Sequence, residues 1–367
     1  MTTSIFAQVA IISGISGGLA LLLSIANRTI ANYGEKKMVI NEEKEYTVEG
    51  GDTLLSTLVS EEIFIPSACG GKGSCGYCKV HVHEGGGQFL PTEAGYVTPE
   101  EQAEGVRLSC QLKVKEDIHI QIPEELFNVK QYDYNVALLK DVTPKIKHLR
   151  LELPADKEIQ FKPGQYIQIL TPTYKGNDEE VYRAYSIASA PSDPHAVELF
   201  IGYVPEGVCT TYVHQHLKEK DKLTIVGPFG DFYYQHSNRE MVMVAVGTGM
   251  APIMSILKHM ADEKIDRKCT FFFGARTSED LYMMDELAAL EKQLPNFKLV
   301  PVLSRPSEED QWTGDVGRVT NLIQKYIDNA DNKEAYLCGS PKMIDSVVVE
   351  LEAKGFTEGT IFYDKFE

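Results

Sequence analysis

Basic side chains are in deficit: 36 Lys and Arg stand against 53 Asp and Glu in 367 residues, a net charge of −17. So acidic a chain lacks the electrostatic footprint of a nucleic-acid partner; it suits a cytosolic enzyme surface or docking to a basic protein. Cysteine is too irregular for a secreted scaffold, because the seven residues leave Cys209, Cys269 and Cys338 as an odd, unevenly spaced remainder. Long apolar runs are missing too, save one. From Ile5 to Ala26 there is no charged side chain, over a length sufficient to cross a bilayer once as a helix. No Lys or Arg lies within Met1 to Phe6, so the basic leading region of a signal peptide is absent. Arg28, Lys36 and Lys37 follow the run, and the positive-inside rule then makes residues 1–30 a retained single-pass anchor of the inner (cytoplasmic) membrane. Its N-terminus lies outside and the rest of the chain in the cytoplasm. Gly14 and Gly18 offer a weak signal for close packing of a second helix. The span carries no ionisable residue, and hence no ion path of its own.

The stretch Pro66 to Lys79, PSACGGKGSCGYCK, gathers Cys69, Cys75 and Cys78 in one glycine-rich loop, and Cys110 follows in LSCQ. Four thiolates at fixed offsets are what a 2Fe-2S cluster takes. Gly70, Gly71, Gly73 and Gly76 supply positive φ and room for N–H groups to face the sulfides. Zinc competes for the same cysteines, but favours two C-x(2–4)-C pairs, whereas the first gap here is five residues and Cys110 has no near partner. Disulfides compete as well, against the cytoplasmic character of the rest.

This loop with its remote fourth cysteine resembles the ferredoxin-like 2Fe-2S domain, an α+β (β-grasp) fold, which we assign to residues 35–125. The five-residue gap departs from the four of plant-type ferredoxins and matches the F subunits of sodium-translocating NADH:quinone reductases, as does the stretch GGGQFLPTEAGYVTPEEQAEGVRLSCQ. Residues 38–58 read as two short strands around an acidic turn and a helix capped by Asp52. KVHVHEG reads as a half-buried strand with His81 and His83 on its polar face, and Thr98 to Glu104 as a short helix opened by Pro99. With 8 Lys and Arg against 17 Asp and Glu, the segment presents an acidic surface, either for a basic electron-transfer partner or merely solvated.

Between residues 126 and 235, short β-rich runs (HLRLEL, QYIQIL, VELFIGYV, KLTIVG) are separated by Pro and Gly, which predicts an antiparallel barrel. Arg183-Ala184-Tyr185-Ser186 lies on one extended strand, where alternate side chains share a face. The order FxPGQY, RAYS, Gly207-Val208-Cys209-Thr210-Thr211 and GPFGDF resembles the ferredoxin-NADP reductase superfamily. That resemblance implies FAD, with Arg183 on the pyrophosphate, Tyr185 against the isoalloxazine and Ser186 near its N5. It also implies that Gly207, Thr210 and Thr211 bind phosphate at a helix N-terminus. Cys209 reads as packing, and His214 and His216 as structural or exposed. One departure stands out. The F subunits carry a long insertion before RAYS, and here only TPTYKGNDEEVY occupies that place, which leaves flavin binding intact but weakens the case for the same partner complex.

From residue 236 to 367 the pattern alternates strand and helix, implying a parallel sheet with helices on both faces. Gly247-Thr248-Gly249-Met250-Ala251-Pro252 is not the Rossmann G-x-G-x-x-G. It is similar to the superfamily's G-x-G-x-x-P, whose turn faces backbone N–H groups toward a dinucleotide pyrophosphate. A second strand ends at Gly274-Ala275-Arg276, and KLVPVLSRP is a third; Trp312-Thr313-Gly314 and Gly317 resemble a family segment without an assigned role. Cys338 on a strand reads by itself as core. The string Cys338-Gly339-Ser340-Pro341-Lys342-Met343 is a superfamily hallmark, and the resemblance puts Cys338 beside the nicotinamide, acting by placement and not as a nucleophile. Glu279 and Asp280 would repel a ribose 2′-phosphate, and only Arg276 is basic there, which favours NADH over NADPH. Phe366 matches an aromatic that covers the second flavin face, with a core or surface aromatic as the competing reading.

The expected whole is an anchor followed by 2Fe-2S, FAD and NAD domains: an NADH-oxidising reductase passing electrons from NADH through FAD and the cluster to a partner. The resemblance implies the input subunit of a membrane NADH:quinone reductase, with other membrane subunits as partners and quinone reached through them; any sodium dependence belongs to those subunits. The alternative is a reductase component serving an oxygenase or another soluble metalloenzyme. A non-enzymatic redox sensor is the third reading, against which the complete set of Arg183, Tyr185, Ser186, Gly247, Gly249 and Cys338 argues.

Overall fold

The computed structural model describes residues 13–19 and 33–366, and the chain divides between Asn128 and Val129 into two compact units. The anchor expected over residues 1–30 lies largely outside the described residues. Of it, residues 13–19 are helical with exposed side chains, and among the described residues no helix is long and apolar enough to cross a membrane.

The first unit is a mixed five-stranded sheet in the order β2-β1-β5-β3-β4. Strands β1 (Glu35–Ile40) and β2 (Lys44–Glu49) form a hairpin whose turn takes positive φ at Asn41 and Glu42. Strand β5 (Ile118–Gln121) runs parallel to β1 and pairs Met38 with Ile118 and Ile40 with Ile120, so the same apolar side chains face one core. Strand β3 (Lys79–Glu84) lies antiparallel to both β5 and β4 (Val106–Leu108). Helix α1 (Leu54–Ser60) covers that face with Leu54 and Leu58, both fully buried and each worth about 1.5–3 kcal/mol of burial. Its cap is Thr53, not Asp52. The Ser56 N–H donates to Thr53 Oγ1 at 3.2 Å, while the Asp52 carbonyl accepts from the Val114 N–H, which places Asp52 one residue outside the helix. Helix α2 (Pro99–Ala103) opens with a Thr98/Glu101 capping box.

The second unit begins with six antiparallel strands in the order β10-β7-β6-β11-β8-β9: β6 Lys130–Thr143, β7 Ile146–Glu152, β8 Tyr166–Thr171, β9 Val181–Ser186, β10 Ala196–Gly202 and β11 Lys222–Phe229. A bridge between Ile187 and Leu199, with the Ala188 N–H donating to the Glu198 carbonyl at 2.7 Å, joins the two outer strands and closes the sheet into a barrel. Its interior holds Tyr134, Leu149, Ile167, Ile169, Leu199 and Ile225. Short helix α3 (Val208–Thr211) follows β10.

A parallel six-stranded sheet follows, ordered β15-β14-β13-β12-β16-β17, with β12 Glu240–Val246, β13 Cys269–Ala275, β14 Phe297–Leu303, β15 Asp315–Val316, β16 Lys333–Gly339 and β17 Ile361–Lys365. Met241 to Ala245 are all fully buried, as expected of a strand covered on both faces. Helices α4 (Met250–Asp262) and α5 (Met284–Gln293) pack on one face, α6 (Val319–Tyr326) and α7 (Pro341–Ala353) on the other. The chain reverses direction across the sheet between β12 and β16, and ligands of open parallel sheets bind in the crevice beyond the strand ends at such a point.

Candidate redox and cofactor sites

Gly70, Gly71, Gly73 and Gly76 all take positive φ, and the chain between Ser67 and Cys78 coils back on itself, with the Gly71 N–H donating to Ser67 Oγ at 2.9 Å. The cysteines form two pairs. Cys69 and Cys75 bring their sulfurs to 3.4 Å, and Cys78 hydrogen-bonds Cys110. Cys110 arrives there because the Ser109 N–H donates to the Cys78 carbonyl at 2.8 Å, continuing the β3–β4 pairing. In each pair one thiol donates to the other sulfur. Cys69 is pulled down to about 4 by Cys75, and Cys110 to about 7 by Cys78, while Cys75 and Cys78 are pushed up by the same hydrogen bonds and by burial. The amide of Gln111 donates a further hydrogen bond to Cys110 Sγ at 3.6 Å. A single zinc would take all four sulfurs at about 2.3 Å from one point, whereas here they stand as two pairs. Two pairs, one for each iron, fit a two-iron cluster. His81 and His83 are exposed on β3 and take no part.

In the barrel, Arg183 and Tyr185 share one face of β9, opposite Ile169 and Ile167 of β8, and Ser186 faces the other way, opposite Tyr166. The Tyr185 hydroxyl meets Cys209, which is buried beneath it against Thr171. Gly207 caps α3. The Thr210 hydroxyl is engaged within the loop, donating to the Val204 carbonyl at 3.0 Å and accepting from the Val204 N–H at 3.2 Å. Thr211 follows it, half-buried. The short connection before RAYS seats Tyr174 on this helix: its hydroxyl donates to the Val208 carbonyl at 2.9 Å, and its ring lies 4.7 Å from that of His216. His214 contacts the Ile201 carbonyl at 2.9 Å, so both histidines are structural.

After β12, Gly247 takes φ +56 and accepts the Tyr282 hydroxyl at 3.0 Å; Thr248 approaches Gly202 at the end of barrel strand β10, and Pro252 is buried in the first turn of α4. Gly249 lies against the backbone of Cys338: a Cβ there would fall 2.2 Å from the Cys338 carbonyl oxygen. At Gly339, φ +136, a Cβ would meet Val246, and at Gly274 it would meet Val319 of α6. Helix α4 docks on the barrel through one face. Ser255 Oγ donates to the Ser189 carbonyl at 2.7 Å, and Lys258 reaches both Glu198 of β10 (2.7 Å) and Glu286 of α5 (2.8 Å).

Cys338 is fully buried, which holds its thiol well above the usual range, with the Asp364 carboxylate adding to the effect. Strand β17 pairs Asp364 with Cys338, and Ser186 of the barrel comes near enough to the same carboxylate to pull its pKa down. Burial pushes Asp364 up to about 6, against the opposing pull of Ser186. Spacing could not reveal Asp364, since only the β16–β17 register sets it beside Cys338. Phe366 is half-buried against the core below the sheet, its N–H donating to the Gly339 carbonyl at 2.9 Å.

At the end of β13, Glu279 is exposed and Asp280 caps Thr277. A further carboxylate, that of Asp310, is set against Ser278: it accepts from both the Ser278 N–H (3.1 Å) and its hydroxyl, and is pulled down to about 2 by Ser278 and Ser307. The Arg305 N–H donates to the Arg276 carbonyl at 2.8 Å, so a second arginine stands beside the first.

A sulfur-lined loop on a small mixed sheet, followed by a closed barrel and a parallel sheet with a glycine turn at its switch point, defines an iron–sulfur flavoprotein oxidoreductase. Residues 38–115 match the 2Fe-2S iron-sulfur cluster binding domain, 134–234 the oxidoreductase FAD-binding domain and 243–348 the oxidoreductase NAD-binding domain. The chain belongs to the family of the F subunits of Na(+)-translocating NADH-quinone reductases. It is 36% identical to the F subunit of Neisseria gonorrhoeae over 390 residues, covering 95% of this chain and 96% of the relative. It is 35% identical to that of Pseudomonas aeruginosa over 401 residues, covering 99% and 98%. In fold it is similar to the Amycolatopsis cytochrome P450 reductase GcoB (TM-score 0.74, 24% identity, 90% of this chain and 98% of that one). It is likewise similar to the ferredoxin reductase in carbazole 1,9a-dioxygenase (TM-score 0.70, 22% identity, 91% and 98%).

Proposed function

We propose that the chain oxidises NADH as the electron-input subunit of a membrane quinone reductase, held by an anchor within residues 1–30, with its domains at 35–125, 126–235 and 236–367. The observation that carries the redox reading is the meeting of Ser186 from the barrel with Cys338 and Asp364 from the parallel sheet, because it joins a flavin-strand residue to the nucleotide domain at one point. Identity to F subunits over nearly the full chain supports the place in a complex. When bound, FAD takes two electrons as hydride from NADH and the 2Fe-2S cluster takes them singly, the protein supplying binding, orientation and tuning.

Each protein group then has a task. Cys69 and Cys75 would hold one iron, Cys78 and Cys110 the other. Arg183 and Thr211, with the Gly207–Thr210 backbone, would hold the flavin pyrophosphate, and Tyr185 and Phe366 would pack against its isoalloxazine. Gly247, Thr248, Gly249, Pro252 and Gly274 shape the turn for the nucleotide. Gly339 lets Cys338 stand at the strand end, where its unionised thiol acts by contact. Ser186 is oriented by ionised Asp364, which fixes its hydroxyl.

Asp364 makes the reaction pH-dependent. Its folded pKa, about 6, exceeds the carboxylate value of 3.8, so protons bind the folded state more readily between the two, and stability falls as pH rises through that window. Orientation of Ser186 by charge runs the other way and is lost below about pH 6. We expect Asp364→Asn to slow NADH-driven flavin reduction about 10- to 100-fold at neutral pH, the worth of a charge-assisted hydrogen bond. It should also abolish the rise in rate across pH 6. Stopped-flow rates at pH 5–8 check this; a variant that keeps the wild-type pH profile removes Asp364 from the reaction.

The subunit assignment is tested by solubilising the protein from its native membrane and assaying NADH oxidation with quinone and with co-purifying proteins. Membrane subunits carrying quinone reductase activity support it. The short connection at Tyr174, where F subunits carry an insertion, favours a second reading, a reductase serving a soluble metalloenzyme; such a partner, without quinone activity, would establish that instead.

A further inference from the structure

Residues 84–105, EGGGQFLPTEAGYVTPEEQAEG, connect β3 to β4 and are mostly glycine and polar, a composition that ordinarily forms a loose surface loop. This one is bolted down. Glu93 is 0% exposed and Arg107 only 6%. Burying such a pair is tolerable only when the remaining hydrogen-bonding groups are also met, and they are. The Glu93 carboxylate accepts from Arg107 Nε (3.0 Å) and Nη2 (2.7 Å), from the Leu90 N–H (2.9 Å) and from the Leu108 N–H (2.9 Å). Arg107 donates onward to the carbonyls of Gly86 and Gln88. The segment is thereby closed on β4, two residues before Cys110.

Three residues beyond Glu93, Tyr96 reaches the other ligand segment. Its hydroxyl donates to the Ser74 carbonyl at 2.8 Å, and its ring lies on Gly76, between Cys75 and Cys78: a Cβ on Gly76 would fall 2.9 Å from Tyr96 Cδ1 and 3.1 Å from its Cβ. Gly76 has φ +72, so both its conformation and the ring above it require glycine. One segment therefore grips both pieces of chain that supply sulfurs, the Cys75–Cys78 turn through Tyr96 and the approach to Cys110 through Glu93.

We propose that residues 86–104 form a strap that sets the reduction potential of the cluster by keeping water off the Cys75–Cys78 turn, with the Tyr96 ring as the cover. This rests on the reading of the four cysteines as the ligands of a 2Fe-2S cluster. Cluster potentials depend on solvent exposure and on hydrogen bonds to the sulfurs, and Tyr96 governs the first. Water admitted at the turn favours the more negatively charged reduced state, so removal of the ring raises the potential.

The test uses the full-length, detergent-solubilised protein with its cofactors. An EPR-monitored redox titration gives the cluster potential, and deuterium coupling to the reduced cluster in D2O reports solvent approach. Tyr96→Ala should shift the potential upward and strengthen the deuterium coupling, while NADH-driven flavin reduction stays at the wild-type rate. Tyr96→Phe, which keeps the ring and loses only the Ser74 hydrogen bond, should restore both cluster readouts. An alanine variant unchanged in both readouts overturns the strap, and so does a phenylalanine variant that shifts as far as alanine. If the alanine variant fails to hold its cluster, Tyr96→Leu replaces it under the same two criteria. A wild-type protein without a reduced-cluster EPR signal would instead sink the ligand assignment, before any variant is compared.

Discussion

Cys75→Ser should erase the visible absorption of the iron–sulfur centre and stop electron delivery to any acceptor that draws on it, while NADH continues to bleach the flavin at close to the wild-type rate. The first half follows from pairing. Cys75 stands 3.4 Å from Cys69 and holds that neighbour's thiolate at about 4. A serine hydroxyl is no soft ligand, so one iron would be left with a single cysteine sulfur. The second half follows from the division of the chain between Asn128 and Val129. The core of the first unit is built on Met38, Ile40, Leu54 and Leu108, and the candidate flavin and nucleotide residues all lie in the second unit. Ferricyanide, which accepts electrons directly from reduced flavin, is the discriminating acceptor. Its NADH-dependent reduction should persist when the cluster spectrum is gone. Loss of both would mean that the two units do not fold independently.

What the sequence reveals and what it conceals divide along a physical line. Cys69, Cys75 and Cys78 stand within ten residues of each other, the barrel strands follow one another in short β-rich runs, and the Gly247–Pro252 turn sits between a wholly apolar strand and a helix; local spacing and periodicity carry all of these. Asp364 is different. It becomes part of the site because β17 adds in parallel beside β16 after the crossover through α7, and that register is written in no local pattern. Asp310 joins Glu279 and Asp280 at the end of β13 for the same reason, reaching Ser278 from the loop after β14. Glu93 and Arg107 look like surface charges fourteen residues apart until the loop closes on them. Thr210 shows another limit: the resemblance implies a phosphate ligand at a helix start, and only the fold shows that its hydroxyl also bonds the Val204 backbone. Short-range chemistry was legible, and contacts made by tertiary register were not.

Gly249→Ala separates the two reasons a glycine can be required. At Gly249 the backbone is ordinary, φ −59 and ψ −11, so alanine meets no conformational strain there. It meets the chain: the added methyl would lie 2.2 Å from the Cys338 carbonyl oxygen, 2.5 Å from its carbon and 2.9 Å from the Gly339 nitrogen. None of these is a flexible side chain that can swing aside, so the turn and the Cys338 strand end must part by about 1 Å to reach van der Waals contact, a displacement that costs about 100-fold in rate when it falls between reacting groups. Gly247 is the converse. Nothing lies within 4 Å of a Cβ there, but φ is +56, and alanine would cost about 1–2 kcal/mol of left-handed strain, or roughly tenfold if all of it reached the bound state. In rapid-mixing experiments Gly249→Ala should therefore lose about 100-fold or more in NADH-driven flavin reduction and Gly247→Ala about tenfold or less. Both should retain bound FAD, and dithionite should reduce flavin and cluster as in the wild type. A Gly249→Ala protein as fast as Gly247→Ala would mean that hydride transfer does not depend on the close seat of the glycine turn against Cys338. The nucleotide would then have to be placed elsewhere along the strand ends.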